Sequence, residues 1–408
     1  MDKIYGQKHQ KETFYFSLST MLQKASYYGL RALVVLYMTG EIMQMDRSKA
    51  LFVYGWFGTS LLFSQIIGGL IGDFALGNRK TLILGNILQA LGAFCLCIPS
   101  SIGLYLGLFF VALGYGLYTP NIIAMFGKLY SSKTKLIDSG FTIFYFAVNL
   151  GSFVGILIIG LVGHKFGDGI GFILSGMLML LSIIPLLFSN EEFHSETNTS
   201  QLSLSNSIRN ISIVFLAIGL FWGIHEISNI RIFDLELKFS EMAALTIPQD
   251  LWQALSSIIF LPVCLIAFFY WSYYYSSLTS KLLLGFIFGI ISYGLLFLIP
   301  EIPVEKHALI YLISLISLAI SETHLAPVLY SSLTKYANQK YLTTLISLAF
   351  IPPKAFNLIF GIFNDTFYNN PLSGLKFGIT AMTIASIGLI LYIIWEERKH
   401  GEYLKNKN

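Results

Sequence analysis

Lys24, Arg31, Lys354, Glu226 and Glu322 stand inside long apolar runs, where a charge persists only if it faces a partner, a cavity or a ligand. Lys24 and Arg31 are seven residues apart, so on a helix they share one face, with Tyr27 and Tyr28 between them. An arginine there suits a carboxylate, which its planar fork grips through two parallel hydrogen bonds. Glu226 and Glu322 bring the opposite charge, each with a histidine close by: His225 is adjacent to the first, and His324 follows the second by two residues. Carboxylates and imidazoles in such settings take up and release protons, so these four are the expected proton-coupling groups. A cation on one side and carboxylates on the other is what the two ends of a zwitterion need. No nucleophile–base pair, metal-ligand cluster or phosphate-cradling loop accompanies them. Neither an enzyme nor a bound metal or cofactor is expected. Cys95 and Cys97 are two apart and point different ways on a helix, and Cys264 stands alone in another apolar run, so all three read as small core fillers.

The elements that must hold these residues are membrane spans. Of 408 residues 55% are hydrophobic and 12% charged, and the mean hydropathy is +0.68, which leaves too little polar surface to coat a soluble globule. The net charge of +4 comes from dispersed basic residues, so nucleic acid is not an expected partner. The polar start MDKIYGQKHQKE reads as no cleavable signal peptide. Twelve apolar segments follow, at 14–39, 50–73, 81–99, 102–126, 137–163, 169–188, 211–231, 249–273, 282–300, 307–334, 342–364 and 374–395. Residues 189–210, rich in Ser, Asn, Glu and Thr, separate six spans from six. The expected division is therefore an N-terminal bundle over 1–188, a cytoplasmic linker over 189–210, and a C-terminal bundle with a short tail over 211–408. With the N-terminus inside, sixteen of the 26 basic residues fall on the cytoplasmic side and seven on the other, which supports both termini inside. Lys24, Arg31 and Lys354 remain at membrane depth. Lys354 follows Pro352-Pro353, a pair expected to break its span.

Between the second and third spans runs GGLIGDFALGNRK, from Gly68 to Lys80. Its glycines allow two helices to approach closely. Asp73 and the Arg79-Lys80 pair are placed to hold those helix ends together, so Gly68, Gly69, Asp73, Gly77 and Arg79 form an expected gating loop. This spacing resembles the signature loop of the major facilitator superfamily.

Further blocks resemble the proton-dependent oligopeptide transporter (POT) family. They are SYYGLRALVVLY from Ser26, GYGLYTPNIIAMFGKLY in the fourth span, FTIFYFAVNLGS in the fifth, FWGIHE from Phe221, IPQDLWQ from Ile247, and SETHLAPVLYSSLTKYA in the tenth. They occur in both halves and in the family's order. The resemblance implies an all-α membrane protein of the major facilitator fold, with twelve helices in two bundles of six. Its function would be import of di- and tripeptides with protons by alternating access. It implies a substrate site of Arg31, Tyr27, Tyr28 and Asn149 from the first half and Trp222, Glu226, Gln253 and Glu322 from the second, with Glu322, Glu226, His225 and His324 as proton-coupling candidates.

The departures concern charge. Where the family carries Glu-x-x-Glu-Arg in the first span, this chain has Thr20, Gln23 and Lys24; its lysine ahead of Pro-Asn in the fourth span is Thr119 here. Losing these groups together keeps the site from holding unpaired buried charge. The linker is also too short for the two extra helices of many bacterial members. The expected function is transport of a small peptide-like zwitterion, proton-coupled through the carboxylates of the C-terminal half. Two readings stay open beside it: a transporter or facilitator of a non-peptide solute with proton coupling lost, and a non-transporting receptor or scaffold. The expected setting is a monomer in the lipid bilayer of a bacterial inner membrane.

Overall fold

Polar caps and left-handed glycines mark where the helices begin. Asp46 accepts from the backbone N–H groups of Ser48 and Lys49, and Ser100 accepts from that of Gly103, which satisfies orphan donors at two helix starts. Gly77 (φ 80°) and Gly167 (φ 97°) take turns that a side chain would strain. In the computed structural model, which describes residues 2–3, 8–131, 133–189, 204–242, 249–361, 367 and 370–405, the helices are α1 (Lys11–Thr39), α2 (Arg47–Phe74), α3 (Asn78–Leu96), α4 (Ser101–Lys128), α5 (Ile137–Phe166), α6 (Asp168–Leu181), α7 (Ile183–Leu187), α8 (Leu204–Ser240), α9 (Gln249–Tyr273), α10 (Leu278–Phe297), α11 (His307–Tyr336), α12 (Leu342–Leu348), α13 (Ile351–Gly361) and α14 (Pro371–Lys405). Among the described residues, ten spans are long and apolar enough to cross a membrane, with α6–α7 and the stretch Gln339–Phe360 each counted as one. α1 and α3 complete the twelve expected segments; Gln23, Lys24 and Arg31 in α1, and Asn86 and Gln89 in α3, lower their hydropathy.

Two expected spans are broken. α6 and α7 part at Ser182, near the position where Pro185 withholds the N–H that would bond Leu181, four residues back. α12 and α13 part at Ala349-Phe350, just ahead of Pro352-Pro353, as the proline pair implied. Lys354 is exposed on α13.

The chain divides into two compact units, one of Ile4–Ile211 with Tyr330–Phe350, the other of Met1–Lys3, Ser212–Leu329 and Ile351–Asn408. The end of α11 and all of α12 thus pack with the N-terminal bundle. Residues 190–203 of the expected linker lie outside the described ones, and 204–210 begin α8.

In the N-terminal unit a core of Leu30, Val34, Ala93, Leu96, Val111, Ile159 and Phe172 joins α1, α3, α4, α5 and α6. Glycines set the closest approaches. A Cβ on Gly155 would lie 2.0 Å from the carbonyl oxygen of Ala25, and one on Gly68 would lie 2.0 Å from that of Gly116. Much of the outward surface is apolar, including Leu36, Phe52, Leu161 and Leu358. In water such a surface would drive association, whereas in a bilayer it meets lipid.

Candidate functional site

In the N-terminal unit, α1 places Lys24 and Arg31 among tyrosines from three helices. The Lys24 ammonium donates to the Tyr115 hydroxyl on α4 at 3.0 Å and stands 4.2 Å from that ring's centre. Tyr27, fully buried, packs against Tyr115 with ring centroids 4.3 Å apart and planes tilted by 33°, and meets Tyr28 edge-on at 5.2 Å. Arg31 donates through Nε to the hydroxyl of Tyr54 on α2 and lies 5.3 Å from that ring's centre. Its two terminal nitrogens have no hydrogen-bond partner among the described residues, so the face that grips carboxylates is open. Asn149, expected beside them, is half-buried on α5 and gives its amide to the Tyr145 carbonyl one turn back at 2.9 Å.

One residue before Lys24, Gln23 belongs to a chain of amides. Its Nε2 donates to Gln89 Oε1 at 2.8 Å, Gln89 donates to Asn86 Oδ1 at 3.3 Å, and Asn86 donates to the Ser182 hydroxyl at 2.7 Å. The second missing carboxylate of the first span is thus replaced by a neutral group tied into α3 and the α6–α7 break.

The Gly68–Lys80 loop works differently from expectation. Asp73 and Arg79 do not clasp each other; each caps another helix. Asp73 accepts from the N–H groups of Thr343 (3.3 Å) and Thr344 (2.7 Å) and from the Thr344 hydroxyl (2.8 Å), at the start of α12. Arg79 donates to the carbonyls of Leu186 (2.9 Å) and Ser189 (3.0 Å), closing the end of α7. Asn78 donates to Asn121 at 2.8 Å and to the Thr343 hydroxyl at 2.7 Å, and accepts from Lys128 at 2.6 Å. Gly69 faces Ser347 and Thr343, where a Cβ would lie 2.7 Å from the serine oxygen. The glycines therefore seat α12 as well as α4.

At the same end of α1, His9 contacts Tyr130 at 2.8 Å through Nδ1 and Ser139 at 3.3 Å through Nε2. Burial first, and the positive charge of Lys133 second, lower its pKa below the usual 6.5.

In the C-terminal unit, α8 and α11 bring His225 and Glu322 together, with Nε2 and Oε1 3.8 Å apart. The Tyr293 hydroxyl on α10 lies 3.5 Å from His225 Nδ1, and Phe221 and Trp222 pack on the imidazole. Glu226, the adjacent residue, is exposed and stands outside this cluster. His324 turns from Glu322: its Nδ1 meets the Ile320 carbonyl at 2.7 Å and its ring packs against Trp271, over which the Lys281 ammonium stands at 4.4 Å. Gln253 lies on α9, its side chain outside the described ones. Of the four proton-coupling candidates, the structure joins two.

Residues 79–231, from the start of α3 into α8, match the model of the POT family. The chain carries a POT family domain. Over 189 residues it is 31% identical to the uncharacterized transporter YclF of Bacillus subtilis (strain 168), covering 45% of this chain and 38% of that protein. Over 168 residues it is 34% identical to a di-/tripeptide transporter of Lactococcus lactis subsp. lactis (strain IL1403), covering 40% and 34%. It is 33% identical to the peptide transporter YePEPT of Yersinia enterocolitica over 174 residues, covering 41% and 34%. The chain thus spans little more than a third of the length of these curated relatives. Solved POT family structures extend the likeness in fold to nearly the whole chain. One, in complex with a thioalcohol-conjugated peptide, superposes with a TM-score of 0.65 at 22% identity, over 96% of this chain and 97% of that one. Another, in complex with 5-aminolevulinic acid, gives 0.63 at 22% identity over 97% and 98%. The expected major facilitator fold is the one these POT transporters share with this chain.

Several residues of the clusters were absent from the sequence-derived set, four of them in direct contact with its members. Tyr115 and Tyr54 hold the two cations, Tyr293 meets His225, and Gln89 takes Gln23. Only Tyr115 left a trace, lying one helical turn ahead of Thr119, the position at which the sequence resemblance implies a lysine.

Proposed function

We propose that this chain is a secondary transporter of di- and tripeptides or similar small zwitterions, working by alternating access and coupled to protons. The observation that carries the reading is the placement of charge in two helices: Lys24 and Arg31 on α1 of the N-terminal unit, held by tyrosines, and the Glu322–His225 pair between α11 and α8 of the C-terminal unit. The POT family domain and the relatives named as peptide transporters support it.

The chemistry follows from neutralising each buried charge before the protein changes state. The open fork of Arg31 receives the substrate carboxylate, and the tyrosine rings exclude water around it. Glu322 and His225 hold one exchangeable proton between them. With that proton the pair is net neutral; without it a carboxylate is left uncompensated at membrane depth. Conversion between inward- and outward-facing states is thus favoured when the charges are met and disfavoured when they are not, which is coupling by electrostatics alone.

Uptake of labelled di-alanine into proteoliposomes, with and without an inward proton gradient, tests this. Gradient-driven uptake lost in Arg31→Ala, and made insensitive to the gradient in Glu322→Gln, is the expected result. Wild-type protein that accumulates no di-alanine under either condition would overturn the peptide assignment.

A further inference from the structure

In the N-terminal unit, α2 and α4 run in the same direction and open toward their starts. Ser64 lies against Gly116 and, two turns on, Gly72 lies against Asn121, so small residues bring the two backbones together. A Cβ on Gly116 would stand 2.3 Å from the Ser64 carbonyl oxygen. Nearer the starts, larger side chains hold the helices apart. A groove of about 420 Å³ lies between them there, within the roughly 300–1,000 Å³ of small-molecule sites.

The groove is ordered from charge to hydrocarbon. α2 gives it Lys49, Phe52, Trp56 and Ser60, spaced three or four apart on one face, and α4 gives Tyr105 and Phe109 over a buried Leu108. From Lys49 to Ser60 is about 16 Å along the axis. That is the depth of one leaflet, half of a hydrocarbon core of about 30 Å. At the mouth the Lys49 ammonium is exposed and has no hydrogen-bond or ion-pair partner among the described residues, and Arg47 is exposed two positions before it. The nearby carboxylates are Asp46, which accepts from the backbone N–H groups of Ser48 and Lys49, and Glu41, exposed in the preceding loop. At the foot the Ser60 hydroxyl donates to the Phe57 carbonyl at 2.7 Å, so no unmet polar group faces an apolar guest. Phe52, Trp56 and Phe109 leave more than half of their surface uncovered between these ends.

We infer that this groove binds a phospholipid of net negative headgroup from the leaflet in which α2 begins, with one acyl chain along Phe52, Trp56 and Phe109 and the phosphate at Lys49. Charge, aromatic belt and apolar foot follow one another in the order of a lipid's headgroup, interface and tail. A zwitterionic lipid offers the same tail but meets its phosphate with its own ammonium. The Lys49 cation therefore selects between the two. This binding is independent of what the protein transports.

Brominated acyl chains quench a tryptophan they touch, and Trp56 stands in the groove. The purified full chain is reconstituted in dioleoylphosphatidylcholine vesicles with a minor fraction of dibrominated phosphatidylglycerol or dibrominated phosphatidylcholine. Trp56→Phe subtracts the emission of the other tryptophans. One cation at the membrane surface should favour the anionic lipid by about fivefold. The preference should persist in Lys49→Arg and vanish both in Lys49→Gln and in Ser60→Phe, which fills the foot of the groove. Excess inorganic phosphate, compared with chloride at equal ionic strength, should leave it intact. Equal quenching of wild-type Trp56 by the two lipids overturns the site, as does a preference that survives Lys49→Gln. A preference lost in Lys49→Gln but intact in Ser60→Phe overturns the groove, since it means adsorption to a surface lysine. Abolition by phosphate overturns the lipid assignment in favour of a free anion. Trp56 reached by neither lipid means that a second copy of the chain covers this face, which overturns it too. Should Ser60→Phe not fold, Phe109→Ala removes an exposed wall of the groove and is read in the same way.

Discussion

Replacing Asp73 should loosen α12 by an amount that can be worked out from its contacts. Thr343 and Thr344 sit in the first turn of this short helix, where backbone N–H groups have no intrahelical acceptor. Asp73 meets both, and the Thr344 hydroxyl as well. Two of these bonds are short, and the third, at 3.3 Å, is weak. Hydrogen bonds to a charged group contribute about 1.5–3 kcal/mol each. Asp73 is half-exposed, so water recovers part of the loss, and the low end of that range applies to the two short bonds. Asp73→Ala should therefore cost about 3 kcal/mol, or about a hundredfold in the opening equilibrium of α12. An asparagine oxygen in place of Oδ2 keeps both Thr344 bonds as neutral ones of about half the strength. Asp73→Asn should then cost about 1.5 kcal/mol, roughly tenfold. Hydrogen–deuterium exchange over residues 342–348, with residues 104–112 of α4 as internal reference, reads both values. Unchanged exchange in α12 of Asp73→Ala would falsify the capping role. Equal acceleration in α4 would mean that the whole unit had loosened, and would refute the local account just as well.

Two further outcomes follow from packing and protonation. Gly155→Ala drives a Cβ to within 2.0 Å of the Ala25 carbonyl, a backbone atom that cannot move without its helix, whereas a Cβ on Gly160 of the same α5 meets nothing within 4 Å. The first should lower stability by about 1–3 kcal/mol and the second raise it by up to about 1 kcal/mol, so unfolding midpoints that shift in the same direction would contradict the assigned α1–α5 contact. The pKa of His9 is lower folded than unfolded, so its neutral form stabilises the fold fully above pH 6.5, and that contribution fades as pH falls below 6.5 toward the folded value. Limited proteolysis of residues 8–12 should accelerate over that acidic window in the wild type and lose its pH dependence in His9→Gln; a pH response unchanged in His9→Gln would remove His9 as its source.

The spans were legible because a run of some twenty apolar residues leaves few other options, and the break between α12 and α13 announced itself through Pro352-Pro353, whereas the one between α6 and α7 was not read from Pro185. Partners were not legible, because they depend on which face of a helix looks inward. His225 and Glu226 are adjacent, so about 100° of rotation separates them; the composition of α8 does not say which one points at α11. The same geometry turns His324 about 200° from Glu322, and spacing alone had suggested a pair. Asp73 was recognised as important, yet its true partners lie 270 and 271 residues away, beyond any local pattern. Tyr54 and Tyr115 were hidden for another reason. Tyrosine in an apolar helix reads as core, and only the cation beside it shows its hydroxyl to be in use.

Thr20, Gln23 and Thr119 differ from the family pattern in one direction, removing charge, and the amide chain shows what takes its place. Gln23, Gln89, Asn86 and Ser182 pass hydrogen bonds from α1 to the α6–α7 break without a single ionised group. Such a chain ties the helices to one another, and it keeps no proton that could leave. Its charge is the same in every state of the protein.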